Sequence, residues 1–544
     1  MPTQRPSWVN RLILYSPGLV SFAIMLPRLA SAQFGFFDDG RTLATAAQMA
    51  HGSWDWSWDF LAGRFRPVYR LFFSLPYALF GREPFWYFVA NAVIFVLAVV
   101  GVIALVRRIS GSDTQAWVTG MLFATSGPVA ENYYTLSKGE ALQLVLLVGS
   151  LLLILSFEKI HSLWKKSVLL LMTMVVLFAA HATKETSLIM IPISLVWLLG
   201  AWVRQRSGRS SAHLPIYGAY CLANILAGAI FFSLRMVFIA QTAQGGSYTQ
   251  SYEFGLSRLL ASTVRWSGWL IRDYSYLAPL LLIAVFWCLR TRRVPQAETA
   301  FNSLVWMGAW VGIFLPWQYT VEYYMLAFAL GAAFLGGWLL AQIIQKPVFV
   351  NKWSRILTII VLAVSALLFM STLGNNISTA RIQLAVDSAN DDMLDYLVQQ
   401  LPTGSTVWIN IQASNEYIEQ LGYLKDGWGR TDISLQLFHN PIIPGNKDYI
   451  VTPFVANLPL LTVRMGVIES SQLTWTQDLN SFLSEHPDWK QVFETDHRFQ
   501  LIITDLPRLF CPWMQGRNFC AVDSPILNTR AFSYEWRIYQ QENP

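Results

Sequence analysis

The sequence predicts an all-α polytopic membrane domain of about eleven transmembrane helices over residues 1–374, followed by a small α/β domain over residues 375–544. Three observations lead there. The 544-residue chain is 54% hydrophobic and only 13% charged, against about 25% charged in ordinary soluble domains. Most of that charge deficit falls before about residue 374. Beyond it, polar and apolar residues mix as in a globular sequence long enough to bury its own core.

Apolar runs of span length stand at about 11–29, 86–106, 114–131, 136–157, 167–182, 187–203, 214–238, 275–290, 299–316, 322–343 and 356–373. The first run is expected to remain a span rather than act as a signal peptide. The net charge of +6 does not point to nucleic acid, because the basic residues lie in short loops between spans. With the N-terminus inside, the inner segments include "RRIS", "EKIHSLWKK", "VRQRSGR", "RTRR" and "QKPVFVNKWSR", and together hold sixteen of the 39 Lys and Arg. An odd number of spans then places the C-terminal domain outside, and a prokaryotic plasma membrane is the expected location. Cys221 and Cys288 fall in spans. Cys511 and Cys520 flank "PWMQGRNF", where a disulfide is expected if that region is extracytoplasmic.

The first outer loop is too apolar for a solvated linker. "TLATAAQMA" has helical spacing, and "FRPVYRLFFSLPYALFG" sets arginines among aromatic and apolar residues. Both suit helices lying along the membrane interface. "SWDWSWDF" adds three tryptophans, which favour that depth. Beyond residue 374, "TARIQLAVDSANDDMLDYLVQQLP" reads as an amphipathic helix leading out of the last span. "STVWINIQ", "KDYIVT", "QVFET", "FQLIITD" and "SYEWRIYQ" read as strands, with a helix near "NEYIEQLGYL".

The residues suited to chemistry gather on the predicted outer face. Asp38 and Asp39 stand side by side in "FFDD", just past the first span. Adjacent carboxylates near a bilayer raise each other's pKa and suit a general base, although either could simply cap the helix that follows. "HATKETSLIMIPI" puts His181, Lys184 and Glu185 at the end of a span. Ionisable groups at that depth are functional candidates. Lys184 suits a phosphate, and Glu185 suits orienting or pairing with it in a local ion pair. Arg235, inside "FFSLRMVF", must meet an anion or snorkel. Arg66 and Arg70 share one helix face and could meet a cavity or lipid headgroups. Glu131, Lys138 and Glu322 stand at outer turns. No Walker loop, dinucleotide fingerprint, HExxH or cysteine-rich metal spacing occurs.

At these residues the sequence resembles a known superfamily. "FGFFDDGRTL", then "FRPVYRLFFSLPYALFGREPFWYFVANAVIFVLAVVGVIALVRRISG", then "TKETSLIMIPI" look like the GT-C integral-membrane glycosyltransferases, nearest to the protein O-mannosyltransferase-like branch. The resemblance covers about residues 11–340. It implies transfer of a sugar from a polyprenyl-phosphate-linked donor on the extracytoplasmic face, usually with inversion, with Asp38 or Asp39 as base. It places Lys184 with Glu185 at a Lys-Glu pair, and Arg235 near the donor phosphate. The chain departs from relatives at Phe88, where a histidine often precedes Asn91 by three residues, and at Tyr323, where arginine often follows the glutamate. The expected partners are the lipid bilayer, the lipid-linked donor and a glycan, lipid or protein acceptor. A divalent cation, Mg or Mn, is a possible ligand of the aspartates. The alternative functions are a lipid-linked sugar flippase or transporter, and a non-catalytic assembly protein of the cell envelope.

Overall fold

The structure, a computed structural model, describes residues 8–35, 39–53, 59, 63–136, 138–207, 213–240, 252–291, 297–317, 322–345, 352–410, 424–425, 428–438, 448–456, 473–495, 497–504 and 527–542. The described chain is a helical membrane bundle joined to a small sheet domain.

The bundle begins with α1 (Trp8–Ala30). Two shorter helices follow in the first loop, α2 (Asp39–Ala50) and α3 (Pro67–Phe80), as the spacing predicts. Pro67 opens α3 because its fixed φ suits the first helical position, where no N–H partner is needed. Then come α4 (Pro84–Ser110), α5 (Asp113–Ala124), α6 (Gly127–Tyr133), α7 (Gly139–Ile154) and α8 (Leu163–Thr183). After a 3₁₀ turn at Glu185–Ile189 run α9 (Met190–Arg206), α10 (Leu214–Ala240), α11 (Leu256–Tyr274), α12 (Leu277–Thr291) and α13 (Ala297–Gly312). The bundle closes with α14 (Leu326–Gln345) and α15 (Lys352–Gln400).

Each of the eleven apolar runs lies in helix, but among the described residues eight helices are long and apolar enough to cross a bilayer, or nine counting one bent pair. The differences have local causes. The run at 114–131 divides at Ser126-Gly127-Pro128, where proline cannot continue the helix of α5 and instead starts α6. The run at 275–290 is the second arm of an 88° bend after α11. The run at 299–316 forms a helix of 16 residues, about 24 Å long at 1.5 Å per residue, short of a hydrocarbon core of about 30 Å.

The sheet has the order β2-β1-β3-β6-β4, with β5 also paired to β6. β1 (Thr406–Ile409) lies parallel to β2 (Ser434–Leu437) and β3 (Asp448–Ala456). β6 (Leu527–Gln541) runs antiparallel to β3, with Val451 opposite Ile538. It also pairs with β4 (Trp489–Glu494) and β5 (His497–Thr504) along different parts of its length. The five strands expected from sequence are present. β2 and a helix at Leu473–Glu485 were not expected, and the helix expected near "NEYIEQLGYL" lies outside the described residues.

α15 crosses residue 374 without a break. Its later turns bury Ile382, Val386, Ala389, Met393, Leu394 and Leu397 against Val407, Ile409, Val451, Trp536 and Ile538 of the sheet. The same helix therefore closes the bundle and covers the sheet, and it brings the sheet domain to one end of the bundle. There Arg82, past α3, lies 5.5 Å from the ring centre of Trp428.

Candidate active site

The buried charges of the bundle concentrate at the end that carries the sheet domain. Asp39 opens α2 and is fully buried. Its Oδ2 accepts a 2.7 Å hydrogen bond from the Gly35 backbone N–H. A side chain at position 35 would have its Cβ 2.8 Å from that oxygen, so the loop approaches the carboxylate as closely as it does because residue 35 is glycine. Asp38 lies outside the described residues.

α3 connects Asp39 to the remaining charges. The Thr42 hydroxyl, one turn on from Asp39, lies 3.4 Å from the Tyr69 hydroxyl. A Cβ at Gly139, the first residue of α7, would lie 3.5 Å from the Tyr69 ring. On the same helix, Arg70 makes two hydrogen bonds of 2.7 and 2.8 Å to the carboxylate of Asp59. Burial favours the neutral form of Asp59, but the hydrogen bonds and positive charge of Arg70 outweigh it and hold its carboxyl below the usual range. Arg66 pairs with Glu185 at 2.9 Å, and the Phe65 N–H donates to the other Glu185 oxygen at 3.2 Å.

Lys184 is buried, and its ammonium pairs with Glu140 in the first turn of α7. The local Lys184–Glu185 ion pair considered from sequence is therefore replaced by two longer-range pairs, Lys184 with Glu140 and Glu185 with Arg66. The ammonium also lies 5.2 Å from the Tyr323 ring centre and 4.7 Å from that of Tyr324. Lys138 shares the Tyr323 ring at 4.3 Å. Tyr323 thus serves two lysines.

His181 holds the turn that presents Lys184. Its Nδ1 is 2.7 Å from the Ser187 hydroxyl, which donates to the Lys184 carbonyl at 2.9 Å. Gln143 adds hydrogen bonds to the Lys184 carbonyl and the Thr186 hydroxyl. Asn91 works similarly on the turn between α6 and α7, donating to the carbonyls of Tyr133 and Thr135. Arg235 reaches from α10 to the Gly63 carbonyl at 2.9 Å, so it contacts the first loop. Glu131 is buried at the end of α6. The backbone of Glu322 lies in a 3₁₀ turn before α14; its side chain, and both Cys511 and Cys520, lie outside the described residues.

Among the described residues no three His, Cys, Asp or Glu are grouped to hold a metal ion. Sequence reasoning missed Asp59, Glu140, Arg28 and Asp387. Glu140 and Asp59 stood in segments read as an outer turn and an interfacial tryptophan stretch, and Arg28 and Asp387 read as a span end and the polar face of an amphipathic helix.

No family model and no curated protein matches this sequence. Solved structures do. The chain is similar to the oligosaccharyltransferase AglB of Archaeoglobus fulgidus in complex with an inhibitory peptide and a dolichol phosphate, with a TM-score of 0.52, 13% identity, and coverage of 82% of this chain and 70% of that one. ArnT from Cupriavidus metallidurans bound to undecaprenyl phosphate aligns with a TM-score of 0.47, 13% identity, and coverage of 85% and 95%. The A. fulgidus oligosaccharyltransferase tethered to an acceptor peptide containing the NVT sequon aligns with a TM-score of 0.48, 12% identity, and coverage of 79% and 64%. This chain thus spans just under two thirds of the length of that last protein. The likeness shows a fold shared with that AglB structure, which in this chain is a helical membrane bundle with a small α/β domain.

Proposed function

We propose that this protein is a membrane glycosyltransferase that moves a sugar from a polyprenyl-phosphate donor to an acceptor hydroxyl on the extracytoplasmic face. What supports this reading is a chain of contacts among these charges: Thr42, on the helix that Asp39 opens, lies 3.4 Å from the Tyr69 hydroxyl, Tyr69 packs at Gly139 beside the Lys184–Glu140 pair, and Arg66, just before the same helix as Tyr69, holds Glu185. The AglB structure named above holds a dolichol phosphate, which supports a lipid-phosphate donor here.

In the reaction, Asp38 or Asp39 takes the proton of the acceptor hydroxyl as its oxygen bonds to the anomeric carbon. The bond from that carbon to the phosphate oxygen breaks, its electron pair leaves with the polyprenyl phosphate, and the configuration inverts. Lys184, with Arg66 and Arg235 nearby on the first loop and α10, balances the charge on the departing phosphate. Glu140 and Glu185 hold two of those cations in place before the donor arrives, which lowers the reorganisation needed in the transition state. The acceptor that supplies this hydroxyl is a glycan, a lipid or a protein.

The test is direct. Purified protein in nanodiscs is incubated with a panel of polyprenyl-phosphate monosaccharides and a membrane extract as acceptor source. Release of polyprenyl phosphate is followed by mass spectrometry. Wild type is expected to release it from at least one donor, and Asp38→Asn or Asp39→Asn to lower the rate by about 100-fold or more. Wild-type rates in both variants would remove the base from the mechanism.

A further inference from the structure

The first span and the sheet domain meet at a buried ion pair that the reaction scheme does not use. Arg28, near the end of α1, and Asp387, on α15, are both fully buried and lie 2.6 Å apart. Arg28 also donates to the Gln33 carbonyl at 2.9 Å and lies 4.0 Å from the centre of the Phe88 ring. Phe88 forms an aromatic floor for the guanidinium. Asp387 takes a second bond from Gln383 at 2.9 Å, and Ser388 donates to the Gln33 side chain at 2.6 Å.

These contacts converge on residues 33–35, the segment that leads directly into Asp38 and Asp39. A Cβ at Gly35 would lie 2.8 Å from Asp39 Oδ2 and 3.5 Å from Asp387 Oδ1. Both carboxylates therefore reach the same glycine, one from the first loop and one from the helix that covers the sheet. With Arg28 balancing Asp387, this carboxylate sits close to Asp39 as part of a neutral pair rather than as a bare like charge.

We propose that Arg28 and Asp387 are positioning residues that fix the loop carrying Asp38 and Asp39 and tie its geometry to α15. The proposal rests on the reading of that acidic pair as the source of the base. The pair touches neither donor nor acceptor and acts through residues 33–35. Because α15 also forms one side of the sheet core, the domain beyond residue 374 then sets how the base is aimed. Displacements of about 1 Å at a reacting group can cost about 100-fold in rate, so loosening this clamp is expected to lower turnover while leaving donor binding nearly intact.

The experiment compares full-length wild type with Asp387→Asn, Arg28→Lys, Ser388→Ala and Asp39→Asn in nanodiscs. Polyprenyl-phosphate release gives kcat and KM, and hydrogen–deuterium exchange follows peptides covering residues 31–50 and, as a control, α7. Asp387→Asn is expected to lower kcat by about 10- to 100-fold, to change the donor KM by less than about twofold, and to speed exchange in residues 31–50 but not in α7. Arg28→Lys, which keeps the charge pair, is expected to retain most of the turnover. Ser388→Ala, a milder cut in the same clamp, is expected to give smaller changes in the same direction, and it decides the matter if Asp387→Asn fails to fold. Unchanged exchange over residues 31–50 in every foldable variant would overturn the clamp. Inactive Asp39→Asn beside fully active Asp387→Asn would overturn it too, while leaving the functional reading intact. Full activity in both Asp39→Asn and Asp38→Asn would defeat the functional reading instead, with exchange still deciding the clamp.

Discussion

Lys184 shows how far surroundings set the charge of a single residue. Burial draws its ammonium down to about 8 from an ordinary 10.5, against the opposing attraction of Glu140. The lysine is thus cationic below about pH 8 and neutral above it, while a sugar phosphodiester keeps one negative charge throughout that range. Donor affinity is expected to hold steady below pH 8 and to fall as pH rises through it. Lys184→Arg should flatten the profile, and isothermal titration at pH 6.5 to 9.5 would measure both. The same residue has a structural role that a second comparison separates. Lys184→Ala leaves Glu140 as a buried, unpaired carboxylate, and breaking such a pair costs about 3–5 kcal/mol. Lys184→Ala with Glu140→Ala should regain most of that stability in thermal melts yet still bind donor poorly. Gly35 gives a third test. Alanine there would press on the Asp39 oxygen from 2.8 Å, and transfer is expected to drop by about 10-fold or more.

Among the elements, α15 matters most to how the parts work together. It has 49 residues, about 74 Å of helix at 1.5 Å per residue, more than twice the thickness of a hydrocarbon core. It is anchored on both sides of residue 374: Thr372 bonds to backbone carbonyls of α11, and Asn376 donates to the Thr125 carbonyl at 2.6 Å. Inserting two alanines after Gly374 would rotate everything beyond by about 200° and carry Asp387 away from Arg28. Such a protein is expected to insert in the membrane and to lose at least about 10-fold in turnover in the release assay. Elements of this kind were readable in advance because periodicity is a local property. The long apolar run of α15 and its amphipathic continuation both stood in the sequence, as did α2, α3 and five of the strands. The division of the 114–131 run was less visible, because its apolar residues continue across the Ser-Gly-Pro break. β2 escaped notice because "SLQL" is four residues of mixed polarity.

Across the whole molecule, the basic loops predict that the C-terminal domain lies on the extracytoplasmic side. In a cysteine-free background, a membrane-impermeant maleimide added to intact cells should label Thr403→Cys, which is exposed in the sheet domain, and spare Lys159→Cys, exposed between α7 and α8. The opposite pattern would reverse the topology. The candidate site was half legible at this scale. Asp39, Arg66, Arg70, Lys138, Lys184, Glu185 and Arg235 stood out because ionisable residues are scarce in an apolar chain. Asp59, Glu140 and the Arg28–Asp387 pair did not, since Asp387 is 359 positions from Arg28 and Glu140 is 44 from Lys184, and only the packed helices bring them together. The dual role of α15 also constrains how the protein is made. The sheet is sealed by Ile382, Val386 and Leu397, which emerge from the ribosome just after the final hydrophobic segment. A secreted piece starting at residue 401 would lack that seal and is expected to aggregate, whereas one starting near 375 would keep it and stay soluble. The orientation in which that final segment inserts therefore decides on which side of the membrane the seal and the sheet meet.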